Sequence, residues 1–145
     1  QLAMGTFDDV NAISKIAVNT HLAGAAGTVT AAVVTRLLGG KTDIVMMLNG
    51  ALAGLVAITA EPLTPSPLLA ILIGSIGSLI MYFGTKFLES KKIDDVVGAI
   101  PVHMFAGIFG TLIVPISNPD TSFGTQLTGV IAVCLFSFIL SYIVF

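Results

Sequence analysis

The stretch LLAILIGSIGSLIM, residues 68–81, decides the class of fold. It lies in a window without charged side chains, residues 62–85. That window is long enough to cross a bilayer, because a spanning helix needs about 20 mainly apolar residues. Its apolar residues do not alternate with polar ones, as they would in the roughly 10-residue strands of a membrane β-barrel. The stretch therefore predicts a transmembrane α-helix.

The whole chain has the same character. It contains 145 residues, of which 55% are hydrophobic and 10% are charged, and its mean hydropathy is +1.02. An average soluble domain has about 25% charged residues, and a disordered chain combines low hydrophobicity with high charge. The formal net charge of −2 gives no basic surface for nucleic acid. The composition predicts a membrane protein and no nucleic-acid partner.

Charged residues divide the chain into five apolar windows, at residues 16–35, 44–60, 62–85, 96–119 and 121–145. We therefore predict an all-α, polytopic membrane protein with five transmembrane helices in one domain, residues 16–145. The spans are expected near residues 16–38, 44–60, 68–88, 96–116 and 124–145. Residues 1–15 are expected to form an external segment at the end of a preceding helix.

Turn and capping residues lie between the windows. The pair Gly39-Gly40 is expected to end the first helix and the pair Thr42-Asp43 to cap the second. Asp94 and Asp95 suit the start of the fourth helix, because carboxylates stabilise free helix N–H groups. The chain starts at Gln1 and its last window runs to the final residue, so we expect a piece of a larger membrane protein.

The distribution of Lys and Arg predicts the orientation. One set of loops carries Arg36, Lys41, Lys86, Lys91 and Lys92. The other set, together with the N-terminal segment, carries only Lys15. The positive-inside rule places the first set, and with it the C-terminus, in the cytoplasm.

Small residues recur at four-residue spacing in the first three windows: Ala23, Gly27 and Ala31, then Gly50 and Gly54, then Gly74 and Ser78. In lipid such faces allow helix backbones to approach closely. They predict a compact helical bundle and do not indicate a function. Asn49, beside Gly50, is interpreted as an interhelical hydrogen-bonding residue.

The fourth window, IDDVVGAIPVHMFAGIFG at residues 93–110, contains His103. A continuous helix from Asp95 would place His103 about 12 Å along the axis, near the middle of a bilayer core of about 30 Å. Pro101 has no N–H, so the Val97 carbonyl lacks its usual helical donor and the backbone is expected to be irregular. On an ideal helix, small residues share the face of His103, namely Ala99, Gly107 and Gly110.

Two roles for His103 are equally supported by its type and place alone. It is either a core histidine hydrogen-bonded to a neighbouring helix or a residue of a transport path, where imidazole can donate at one nitrogen and accept at the other. His21 is better explained structurally, because it lies near the outer end of its span. The single cysteine, Cys134, and isolated histidines give no metal site, and no catalytic or cofactor-binding motif is present. We therefore predict no enzyme, no cofactor and no metal.

Four stretches together resemble the ammonium transporter family, which includes the Rh proteins. Residues 93–110 resemble the penultimate helix of that family. The stretch LNGALAGLVAIT, residues 48–59, resembles the helix two before the penultimate one, and VNTHLAGAAGTVTAA, from Val18, resembles the helix before that. FGTQLTGVIAV, residues 123–133, extends the resemblance towards the end of the chain.

The resemblance implies an eleven-helix inverted-repeat transporter fold, of which this chain is the C-terminal half, assembled as a homotrimer in the plasma or inner membrane. It implies that His103 belongs to a histidine pair in a hydrophobic pore, whose other member lies in the missing N-terminal half. Ala99, Ile100, Met104 and Gly107 become candidates for pore-lining or helix-packing neighbours. The family usually has glycine where this chain has Met104.

The function implied is transmembrane transport of ammonium or ammonia. One alternative is an ammonium-sensing membrane module of the same fold with little conduction. Another is an unrelated helical packing unit of a larger membrane complex. The lipid bilayer and the missing half of the same protein are the other expected partners.

Overall fold

The computed structural model describes residues 5–144. Within them the chain is helical and has no strand; the helices are α1 (Phe7–Gly39), α2 (Ile44–Thr59), α3 (Pro67–Ser90), α4 (Ile100–Ser117) and α5 (Phe123–Val144). Four helices of this described part are long and apolar enough to cross a membrane, and α2 is shorter, with 16 residues. The predicted all-helical membrane fold is confirmed.

Local sequence signals explain the helix ends. Gly40 ends α1 with a left-handed φ of 75°, and the Asp43 carboxylate accepts a hydrogen bond from the Met46 N–H at 3.1 Å. α3 begins with Pro67 after the Ser66 cap, since proline needs no donor in the first turn. The end at Gly40 and the cap at Asp43 agree with the turn and capping residues predicted from the sequence.

Two helix starts differ from the expected spans. α1 begins at Phe7, after a capping box of Thr6 and Asp9, so it includes part of the segment assigned to an external region. Residues 1–4 of that segment lie outside the described residues. α4 begins at Ile100 rather than near residue 96, because a turn at Gly98 precedes it.

The first three helices pack through their small residues. A Cβ on Gly27 or Gly54 would collide with the backbone of the facing helix, at Gly50 and Ala23 respectively. The Ser78 hydroxyl donates to the Gly27 carbonyl across α1 and α3 at 2.8 Å. The predicted packing faces are therefore in contact, and they form the centre of the bundle.

Polar side chains connect the loops at one end of the bundle. The buried Asn19 amide donates to the carbonyls of Pro62 and Pro65, both at 2.9 Å. The Asn118 amide donates to the Glu61 carboxylate at 3.2 Å, which joins the α2–α3 and α4–α5 connections. Lys41, Lys91 and Lys92 lie in the connections at the other end, between α1 and α2 and between α3 and α4, and Arg36 and Lys86 lie near the adjoining ends of α1 and α3.

The last helix stands apart from the bundle. Among the described residues, α5 packs against α4 alone and none of its residues is buried. This arrangement leaves an open space between α4 and α5, and the candidate site lies there.

Candidate functional site

An apolar cleft of about 870 Å³ lies between α4 and α5 and is lined by both helices. From α4 it is lined by His103, Met104, Gly107, Ile108 and Thr111. From α5 it is lined mainly by aliphatic residues and by Cys134, Ser137 and Ser141. The His103 ring is thus a polar side chain on the wall of a mostly apolar space.

The backbone that carries His103 is a π-helical turn. Residues Ile100–Phe105 have this wider winding, and α-helix follows from Ala106 to Ser117. The Ala106 N–H reaches back to the Pro101 carbonyl, five residues earlier, as well as to the His103 carbonyl. Single π-helical turns within α-helices are frequent at functional sites. The irregular backbone expected around Pro101 is present.

Three groups hold the start of this turn. The two oxygens of the Asp95 carboxylate accept hydrogen bonds from the Ala99 and Ile100 N–H groups, each at 2.9 Å. Gly98 has a φ of 73°, a left-handed conformation that favours glycine. The Asn49 amide on α2 donates to the Val97 carbonyl at 3.1 Å, which supplies a donor to the carbonyl that Pro101 cannot serve.

The beginning of α4 lies inside the bundle rather than at its end. Val102, with 2% of its surface exposed, packs in one buried cluster with Ala53 of α2 and Met81 of α3. Ala53 is about 13 Å along α2, at roughly 1.5 Å per residue. His103 follows Val102 directly, so it lies near half the length of α2. The expected continuous helix from Asp95 is wrong, because a turn and the π winding intervene.

The structure brings together part of the predicted set. His103, Met104 and Gly107 line the cleft, and Met104 is 46% exposed there. Ala99 and Ile100 lie at the start of α4 and do not line it.

The expectation that Gly110 shares the face of His103 is wrong. A Cβ on Gly110 would collide with the Ala57 backbone, so Gly110 faces α2. Thr111, Ser137 and Ser141 line the cleft although the sequence analysis did not select them. Thr111 lies four residues after Gly107, and Ser141 lies four residues after Ser137. Because residues four apart share a helix face, this spacing is the signal that could have found them.

The other residues considered have structural surroundings. The Nδ1 atom of His21 lies 2.7 Å from the Ala17 carbonyl, one turn earlier in α1, which accepts its hydrogen bond. The Asn49 amide joins α2 to the α3–α4 connection, so its hydrogen bond runs to a loop carbonyl and not, as expected, to a second helix. In the part of the chain that the structure describes, no three His, Cys, Asp or Glu side chains are grouped to hold a metal ion.

Comparison with known proteins identifies the family. A sequence model of the Ammonium Transporter Family matches residues 4–145, which is nearly the whole chain. The chain belongs to the Ammonium Transporter Family. The resemblance in the four sequence stretches is thereby confirmed.

Individual members of the Ammonium Transporter Family agree. The chain is 48% identical over 116 residues to the ammonium transporter Amt2 of Archaeoglobus fulgidus, an alignment that covers 80% of this chain and 25% of the relative. It is 35% identical to the ammonium transporter Amt1 of Haloferax mediterranei, over 92% of this chain and 27% of that protein. The chain thus spans about a quarter of the length of these two relatives. Both are named transporters, not enzymes.

Solved structures give the same fold. The structure of a protein named Sensor Amt Protein matches 88% of this chain and 35% of its own, with a TM-score of 0.82 and 33% identity. A Mep2 mutant from Candida albicans matches 90% of this chain and 33% of its own, with a TM-score of 0.82 and 26% identity. The family match gives no support to an unrelated helical packing unit.

Proposed function

We propose that this chain forms one side of a pore that conducts ammonium or ammonia across a cell membrane, with His103 on the pore wall. The observation that carries the proposal is the position of His103, exposed on the wall of the apolar cleft between α4 and α5. A core histidine hydrogen-bonded to a neighbouring helix would instead lie between the packed faces of α4 and α2 or α3.

The chemistry of the cleft suits a small, weakly polar substrate. An ionised group in a narrow apolar passage is costly, whereas neutral ammonia loses much less solvation. Imidazole can replace some of its lost hydrogen bonds, because one ring nitrogen donates and the other accepts. A histidine can also take or release a proton near neutral pH. We infer that ammonium gives up a proton before passing His103.

The other half of the pore belongs to the part of the protein that this chain does not contain. None of the described residues of α5 is buried, and the cleft beside it is open. This is expected if further helices of the inverted-repeat fold fill that space. We infer that a second histidine from those helices faces His103 and that three such subunits assemble. Ala99 and Ile100 stay candidates for contact with those helices.

The orientation follows from charge. We propose a plasma or inner membrane location in which the end of the bundle that carries Arg36, Lys41, Lys86, Lys91 and Lys92 faces the cytoplasm. α5 begins beside the opposite end, near Asn118, so its C-terminus points to the cytoplasmic side.

The test uses the full-length protein in cells that lack their own ammonium uptake. The parent should restore growth on low ammonium, and His103→Ala should not, although the protein assembles normally. His21→Ala is the matched control, because that ring bonds to its own helix outside the cleft. Equal growth with His103→Ala and the parent would overturn the proposed role of His103.

Ammonium sensing is a second candidate function, favoured by the likeness to the structure named Sensor Amt Protein. A sensor of the same fold would bind ammonium but conduct little. The two functions are separated by ammonium flux into proteoliposomes that contain the full-length protein. Flux no greater than in protein-free vesicles, together with ammonium-dependent protection from hydrogen exchange near His103, would support sensing instead of transport.

A further inference from the structure

The direction of His103 departs from what regular helix geometry gives. Ala106, Gly110 and Val114 define the buried face of α4. At about 100° per residue, an ideal α-helix would place His103 roughly 20° from Gly110 and Val102 about 80° from it. The structure instead buries Val102 and exposes His103 in the cleft.

The π-helical turn accounts for this departure. It takes one more residue per turn than an α-helix, so each residue rotates less around the axis. Because the rotation per residue is smaller between Val102 and Ala106, Val102 lies on the buried face of α4 and His103 lies on the side of Gly107. The winding of this one turn therefore rotates the imidazole away from the side of Gly110, which faces α2, and towards the cleft.

We propose that Asn49 is a positioning residue that keeps this turn in the π-helical register and so directs His103 into the cleft. Its amide binds the Val97 carbonyl at 3.1 Å, and its nitrogen lies only 2.6 Å from where a Cβ on Gly98 would be. Asn49 therefore fixes the corner from which α4 starts.

Asp95 and Phe105 also contact the π-helical turn, but neither ties its start to α2. Asp95 binds the first two free N–H groups from within the same connection, so it cannot fix the connection relative to α2. Phe105 packs over Gly84 of α3 at the far end of the turn. The amide of Asn49 is the polar link between α2 and the near end, and its loss frees that end to rewind.

The experiment measures side-chain direction with silver ions, which are small thiol-reactive cations. Single cysteines are placed by Val102→Cys or His103→Cys in full-length protein in which Cys134 and every other native cysteine are replaced by serine. Silver that has bound a cysteine protects it from later alkylation. The rate at which this protection develops gives the rate of the silver reaction at each position. In the parent background the cysteine at position 103 should react faster than the one at 102.

In Asn49→Leu the ratio of the rates at 103 and 102 should fall roughly fivefold, the ratio equivalent to a net hydrogen-bond free energy of about 1 kcal/mol. Asn49→Gln keeps an amide donor and should retain more of the parental ratio. Thr59→Val is the control on the same helix, because the Thr59 hydroxyl bonds to Leu55 of α2 itself.

An unchanged ratio in Asn49→Leu, or an equal fall in Thr59→Val, would overturn the inference. If Asn49→Leu does not assemble, Asn49→Ala decides by the same ratio. Failure of both to assemble would also overturn it, because Asn49 would then be a folding residue. The inference rests on the proposed place of His103 in the pore, but silver labelling reports direction whether or not ammonium is transported.

Discussion

Gly50→Ala tests the close packing that holds the bundle together. A Cβ at Gly50 would lie 2.5 Å from the Ala31 Cβ, 2.7 Å from the Gly27 carbonyl oxygen and 2.9 Å from the Ser78 hydroxyl oxygen. Ordinary contacts between carbon atoms are about 3.5–4.0 Å, so α1 and α3 must both move away from α2. Overpacking costs about 1–3 kcal/mol, and weakening of the hydrogen bond from Ser78 to Gly27 adds about 0.5–1.5 kcal/mol.

We therefore expect Gly50→Ala to lower the free energy of unfolding by about 1.5–4.5 kcal/mol. The assay is reversible unfolding of the purified full-length protein in mixed detergent micelles, followed by circular dichroism. Gly39→Ala is the matched control, because a Cβ there meets nothing within 4 Å. Equal unfolding free energies for the two variants would refute the packing argument.

Three further predictions concern separate parts of the chain. Cysteines at Ser66 and Ser90 should label from opposite sides of the membrane, Ser66 from outside, and same-side labelling would reject the topology. Ser78→Ala should lower the free energy of unfolding by about 1 kcal/mol in the same assay, and no loss would reject the role of its hydrogen bond. Met104→Gly should raise ammonium flux with little change in stability, since Met104 is 46% exposed in the cleft; lower stability with unchanged flux would assign it to packing.

The bundle was predictable because its signals are local and periodic. Small residues four apart, such as Gly50 and Gly54, can lie on one face only in a regular α-helix, and the first three helices are regular there. Helix ends were predictable for a similar reason, since Asp43 binds N–H groups within its own first turn.

The face of His103 was less predictable because the α-helical period fails just before it. Extrapolation through Ile100–Phe105 assigned Gly110 to the same face as His103, whereas Gly110 packs on α2. Pro101 signalled an irregular backbone but not its extent. The donor that serves the Val97 carbonyl comes from Asn49, 48 residues away in the sequence, and such a pairing is not visible in local patterns.

Transport measured in proteoliposomes tests the role of His103 most directly. Electrogenic flux is compared for ammonium and potassium with folded full-length parent, His103→Ala and His103→Glu. A carboxylate at this position would stabilise a cation and lose the two-sided hydrogen bonding of neutral imidazole. We predict that the parent carries ammonium and excludes potassium, that His103→Ala abolishes normal ammonium transport, and that His103→Glu admits potassium. If both variants transport ammonium and reject potassium as the parent does, His103 is not part of the conduction path.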